Sequence, residues 1–118
     1  MNSQQKIINL LTMCRRAGRV IIGFDAVKEA ALEKGVSCVL VTDNISLKTL
    51  KEVKFFCNNT KTKIIKIGIG SEDVFDMIGK EAVVLAIADY GFAKRFEELG
   101  EPIKATVPRS MKKKEEKQ

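Results

Sequence analysis

Hydrophobic positions recur along the chain with two periods, and the alternation between them lays out the fold. Ile7, Leu10, Leu11 and Cys14 fall three and four residues apart, which predicts a helix over 3–17, capped by Ser3 and ended by Gly18. "RVII" (19–22) is short and apolar, as a strand is. Gly23 then turns the chain into a second helix, with Val27, Ala30 and Ala31 inward and Gly35 as its stop. "CVLVT" (38–42) is an unbroken apolar run of strand length, the pattern of a sheet covered on both faces. Ser46, closing the turn residues "DNIS", is placed to cap a third helix striped by Leu50, Val53 and Cys57. Polar "NNTKT" separates that helix from a strand, "KIIKI" (63–67). "GIGSED" opens a fourth helix, with Glu72 and Asp73 in the first turn, where the helix dipole favours acids. Val74, Met77 and Ile78 face inward there, and Gly79 stops it. "AVVLAIA" (82–88) is the longest apolar run and reads as a central strand. "DYG" then starts a last helix, with Phe92, Phe96 and Leu99 on one face and Pro102 as its end.

The resulting order is α-β-α-β-α-β-α-β-α. Elements of these lengths in alternation predict the α/β class: a three-layer α/β/α sandwich, a four-stranded sheet with helices on both faces. A chain of 118 residues suits one domain, here expected over 1–103. Residues 104–118 have few large apolar side chains and a lysine run, so a basic, disordered tail is expected there.

Charge adds less than it first promises. The formal net charge is +6, but 104–118 hold six basic residues against Glu115 and Glu116, a net +4 that leaves +2 for 1–103. Bulk charge therefore does not mark the folded part as a nucleic-acid binder. No apolar run approaches the roughly 20 residues of a membrane-spanning helix. "MNSQQKIINLL" lacks the basic-then-apolar layout of a signal peptide, so a cytoplasmic protein with no membrane contact is expected.

The residue inventory argues against catalysis. There is no histidine, which removes Ser/His and Cys/His nucleophile systems and the commonest general base. Cys14, Cys38 and Cys57 are odd in number, unclustered and set among apolar residues, as buried structural thiols are rather than disulfides or zinc ligands. "GIGSED" carries Asp73 where a dinucleotide fingerprint needs its third glycine, and an acid there repels pyrophosphate. The reading is a non-enzyme with no catalytic residue, no metal and no cofactor.

One stretch stands out, "RRAGRVIIGFDAVKEAALEKG" (15–35). Gly23 lets the backbone approach a ligand, and the amides after it are donors at a helix start. Asp25 can accept from base amino or imino groups, while Arg15, Arg16, Arg19 and Lys28 supply phosphate contacts. Equally, Asp25 is explained as a partner of the helix dipole and the arginines as a solvated flank. A second element, "MIGKEAVVLAI", sets Gly79, Lys80, Glu81 and Ala82 before the apolar strand. It is a loop that can pack on unstacked bases, or an ordinary helix C-cap and turn.

"RRAGRVIIGFDAV", then "VLVTDNIS", then "IGKEAVVLAIAD" followed by "FAK", taken together over roughly 3–99, resemble the small ribosomal-protein family that binds kink-turn RNA. Its members include the archaeal large-subunit seven-Ae and thirty-e proteins and short bacterial YlxQ-type relatives. The resemblance implies an α/β/α sandwich gripping a sharply bent RNA internal loop or a related terminal loop. A Gly-x-Asn-Glu-x-x-Lys signature at the second helix reads sheared G·A pairs in that family, and the loop before the last strand packs on a flipped-out nucleotide. Gly23 matches the glycine. Phe24, Asp25 and Ala26 follow in place of the Asn-Glu pair, and Lys28 stands one step before the family lysine, whose offset Glu29 takes. The implied RNA-binding set is Arg15, Arg16, Arg19, Gly23, Phe24, Asp25, Lys28, Gly79, Lys80, Glu81 and Ala82, on structured RNA, rRNA or an mRNA leader, with the ribosome a further implied partner. The alternatives are a protein-interaction module on the same fold with a degenerate RNA face, and a small-anion site at Gly23. A monomer is expected, since no apolar helix face is left over once the core is built.

Overall fold

The computed structural model describes residues 2–105. Ten elements alternate: α1 (Ser3–Arg16), β1 (Val20–Ile22), α2 (Phe24–Leu32), β2 (Cys38–Val41), α3 (Leu47–Thr60), β3 (Ile64–Lys66), α4 (Ser71–Ile78), β4 (Val84–Ile87), α5 (Tyr90–Leu99) and β5 (Glu101–Ile103). One mixed sheet runs β1-β4-β2-β3-β5. Strand β4 is antiparallel to both β1 and β2, and β2 is parallel to β3, so β1, β2 and β3 all point the same way.

Period-two alternation divides the strand side chains between two cores. Cys38, Leu40, Ile65, Leu85 and Ile87 join α1, α4 and α5 on one face. Val39, Val41, Ile64, Val84 and Ala86 join α2 and α3 on the other. The three-layer arrangement expected from the sequence follows directly. Both faces of β2 and β4 are sealed, which is why their sequences are unbroken apolar runs. The middle strand is β2, with β4 beside it.

The sheet has five strands, not four. Pro102 does not end α5; the backbone leaves the helix at Gly100, whose N–H still bonds Phe96 O at 2.7 Å, and Glu101–Ile103 then pair antiparallel with β3. Proline is tolerated at an edge, where a nitrogen without a proton can face solvent. Gly100 is what lets the edge dock: a Cβ there would strike Ile65 Cγ2 and stand 2.9 Å from Lys66 O.

Smaller differences concern caps. Asn2, rather than Ser3, accepts the Gln5 N–H at 2.8 Å and starts α1. Helix α2 closes through Lys34 at φ 60°, one residue before Gly35. Helix α3 runs on through "NNT" to Thr60, with Lys61 in the left-handed region at φ 57°. The basic tail expected over 104–118 lies, from residue 106 onward, outside the described residues. Among the described residues no helix is long and apolar enough to cross a membrane.

Candidate nucleic-acid interface

The topology decides which of the sequence's candidates meet. Since β1, β2 and β3 run in parallel, the starts of α2, α3 and α4 collect at one end of the sheet, together with the entry into β4. The Gly23 N–H bonds Val84 O at 3.0 Å, and the Thr42 N–H bonds Val83 O at 3.1 Å. These two bonds hang the Gly79–Val83 loop between the ends of β1 and β2. The helix opened by Gly23 and the loop opened by Gly79 are therefore two sides of one surface, although they lie more than fifty residues apart in sequence.

Each side has local reasons for its shape. Gly23 sits at φ 100°, ψ 150°, a combination open essentially to glycine alone. Its carbonyl accepts the Val27 N–H at 3.0 Å, the first bond of α2, so the amides of Phe24, Asp25 and Ala26 precede the helical ladder, and no side chain caps them. Asp25 and Lys28 are exposed beside them. Phe24 is half-buried and packs edge-on against Phe56, ring centres 5.8 Å apart, so it anchors the helix start rather than facing outward.

Opposite, Gly79 takes φ 84° and gives its N–H to Phe75 O at 2.7 Å, closing α4. Lys80 and Glu81 are exposed, and Ala82 tucks against the core. A polar brace underlies the loop. Ser71 N–H donates to Asn44 Oδ1 at 2.9 Å, Asn44 Nδ2 donates to Ser71 Oγ at 2.8 Å, and Ser71 Oγ lies 3.4 Å from Glu81 Oε1. Three loops are tied together by residues that the sequence reading passed over. "DNIS" marks Asn44 as turn chemistry, but nothing local pairs it with Ser71, 27 residues on.

The arginines go elsewhere. Arg15 and Arg16 occupy the last turn of α1, whose other end is held at the β3–α4 loop by Gln4 Nε2 on Gly68 O at 3.0 Å. Arg19 enters β1 from the far end, where its carbonyl takes the Ala88 N–H at 2.9 Å. Strand β1 then carries the chain from Arg19 to Gly23, about 13 Å at the strand rise. The Gly23 surface thus keeps Lys28 and Lys80, with Lys48 in the first turn of α3, as bases, beside the exposed acids Asp25, Asp43, Glu72, Asp73 and Glu81.

Burial accounts for the cysteines. Desolvation pushes the thiol pKa of Cys14 up to about 11 and those of Cys38 and Cys57 to about 12, so all three stay protonated and inert at neutral pH.

No protein-family model matches the chain. It is 30% identical over 97 residues to the RNA-binding protein YlxQ of Enterococcus faecium, covering 82% of this chain and 93% of that protein. It is 38% identical over 88 residues to the RNA-binding protein YlxQ of Bacillus subtilis (strain 168), covering 73% and 86%. Among solved structures, a protein of unknown function from Bacillus halodurans C superimposes with a TM-score of 0.73 at 25% identity, over 80% of this chain and 95% of that one.

Proposed function

From the premise that the chain belongs to the YlxQ-type branch of the large-subunit seven-Ae-like family, we propose that it binds structured RNA through the Gly23 and Gly79 surface. The observation that carries this reading is the joining of α2's start to the loop before β4 through Gly23 N–H on Val84 O and Thr42 N–H on Val83 O. In the RNA-bound state the first-turn amides of α2 donate to the RNA, and Gly23 leaves room for its backbone. Asp25 and Glu81 accept from guanine imino and amino groups, which a bent internal loop exposes and a regular A-form groove hides. Lys28 and Lys80 hold flanking phosphates. The chemistry is recognition, without a reaction: the chain lacks histidine, and the thiols are buried and protonated.

A gel-shift titration against a kink-turn RNA and a regular duplex of equal length tests this. The expected result is preference for the kink-turn, lost in a Lys28→Glu, Lys80→Glu double variant. Each lost phosphate contact lowers the salt slope by about 0.7–1. Equal binding of both RNAs would sink strict kink-turn recognition, and unchanged preference in the double variant would move the site elsewhere. Association with the ribosome is part of the proposal, and cosedimentation with large subunits checks it.

A second reading has an observation in its favour. Ala26 stands where the family signature has glutamate, and Glu29 where it has lysine. A protein-interaction module on the same fold would show neither RNA preference nor any effect of Asp25→Ala on RNA binding.

A further inference from the structure

At the opposite end of the sheet lies a groove that the Gly23 surface does not use. Its floor is Ser37, Cys38 and Ala93, and its walls come from the end of α3, the start of β3 and the outer face of α5. Its volume is about 480 Å³, against about 320 Å³ for the hollow between α1 and α5. Tyr90 stands at the rim with 76% of its surface exposed. The helix it opens is capped: Asp89, directly before it, accepts the Phe92 N–H at 2.9 Å.

With internal pairing removed, Lys61, Lys94 and Arg19 outweigh Glu98 and the Asp89 carboxylate beside the ring by one positive charge. Lys63 Nζ bonds both carboxylate oxygens of Glu97, at 3.0 and 3.2 Å, so that pair is self-neutralised. Lys61 and Lys94 remain in the groove against Glu98. Arg19 is carried on the neighbouring strand end, its carbonyl bonded to Ala88, two residues before Tyr90. Lys61 holds its place at φ 57°, a conformation in which glycine or asparagine costs less than lysine.

We propose that this groove is a second RNA site, in which Tyr90 stacks an unpaired base while Lys61 and Lys94 hold the adjoining phosphates. An exposed aromatic face flanked by cations is how single strands are held without sequence preference. A paired base offers no free face, so the occupant is single-stranded RNA, such as the flank of a structured element seated at the other end. The inference rests on the RNA-binding reading of the Gly23 surface, but it has a separate readout.

Tyr90 is the only tyrosine in the chain, and there is no tryptophan. Intrinsic fluorescence of the full chain therefore reports this groove and nothing else. The experiment titrates the protein with single-stranded oligoadenylate and oligouridylate octamers at moderate salt, correcting for absorption with free tyrosinamide, and follows labelled octamers in parallel by anisotropy. Saturable quenching of Tyr90 is expected. Octamer affinity should fall about tenfold in Tyr90→Ala, from the usual worth of one stacked base. It should survive Tyr90→Phe, and it should weaken in a Lys61→Glu, Lys94→Glu double variant but not in Lys28→Glu. Octamers that leave Tyr90 emission unchanged, or bind Tyr90→Ala as well as wild type, overturn the proposal. So does loss of octamer binding in Lys28→Glu, which would place the strand at the Gly23 surface. A gel shift with the kink-turn RNA on the same protein separates the two readings. Kink-turn binding with a silent Tyr90 removes only the second site, whereas failure of both RNAs removes both.

Discussion

Replacing Gly23 with alanine isolates backbone conformation from every other variable. A Cβ at this position meets nothing within 4 Å, so there is no clash to relieve and no cavity to fill. What remains is φ 100°, ψ 150°, which L-residues avoid at a cost of about 1–3 kcal/mol. Relaxation is closed off on both sides. The Gly23 N–H is in the bond to Val84, and its carbonyl accepts from Val27, so rotating either peptide breaks a bond and swings the start of α2 away from the loop. A loss near 2 kcal/mol, with a urea m-value of about 1.5 kcal/mol per molar, moves the unfolding midpoint down by roughly 1.3 M. Gly18→Ala is the comparison. At φ 70° it is also free of neighbours, but the left-handed region it occupies costs an L-residue only about 1–2 kcal/mol. Gly23→Ala should therefore unfold at lower urea than Gly18→Ala, and it alone should weaken RNA binding. Equal midpoints for Gly23→Ala and wild type, or the reverse order of the two variants, would refute the claim that this glycine is held in a strained conformation.

Gly100→Ala acts by collision instead. Its φ of −95° is ordinary, but the added methyl meets Ile65 and the Lys66 carbonyl, so a loss of at least about 2 kcal/mol is expected, with β5 amides exchanging faster by hydrogen exchange. Thr42→Val should do the opposite. Thr42 Oγ1 is the one buried side-chain polar atom without a hydrogen-bond partner among the described residues, and removing it should stabilise the fold by about 1 kcal/mol in the same urea assay. The cysteines carry a pH signature. Burial raises their folded pKa above the ordinary thiol value of 9.0, so their contribution to stability is complete below pH 9 and is lost as pH rises towards about 11 for Cys14 and 12 for Cys57. The melting temperature of wild type should fall through that window more steeply than that of Cys57→Ala. At pH 8, thiol labelling by a disulfide reagent should wait for unfolding.

The fold was legible where a residue's local pattern also decides its tertiary place. Apolar runs at 38–41 and 84–87 fit strands sealed on both faces, and Ser46 and Gly79 punctuate helices by chemistry that acts within a turn. Strand β5 was not legible, because three residues containing a proline form a strand only when an edge is already there to receive them. The site was half legible. Gly23 and Gly79 announce themselves as special turns, but their neighbourhood depends on β1 and β4 being partners, which is non-local. Arg15, Arg16 and Arg19 are close to Gly23 along the chain but not in the fold. A strand of three residues is long enough to put them at the other end of the sheet from Gly23.

That separation has a physical origin which bears on both sites. Parallel β1, β2 and β3 gather the starts of α2, α3 and α4 at one end and the ends of α1, α2 and α3 at the other. These helix dipoles favour acids at the first and cations at the second, while α5, following antiparallel β4, starts at the far end. Asp25, Glu72 and Asp73 lie in first turns, and Arg15, Arg16, Lys34 and Lys61 lie in or just past last turns, as this predicts. The acidity around Gly23 is thus no evidence against an RNA there, since first-turn amides and their dipoles offset it. By the same reasoning the basic far end is no evidence for an RNA on its own. What the dipoles leave unexplained is Tyr90: an exposed aromatic ring on the first residue of a capped helix, beside a groove that Lys61 and Lys94 also line. The second site therefore stands or falls on that ring, and its fluorescence is the observable that no dipole argument can imitate.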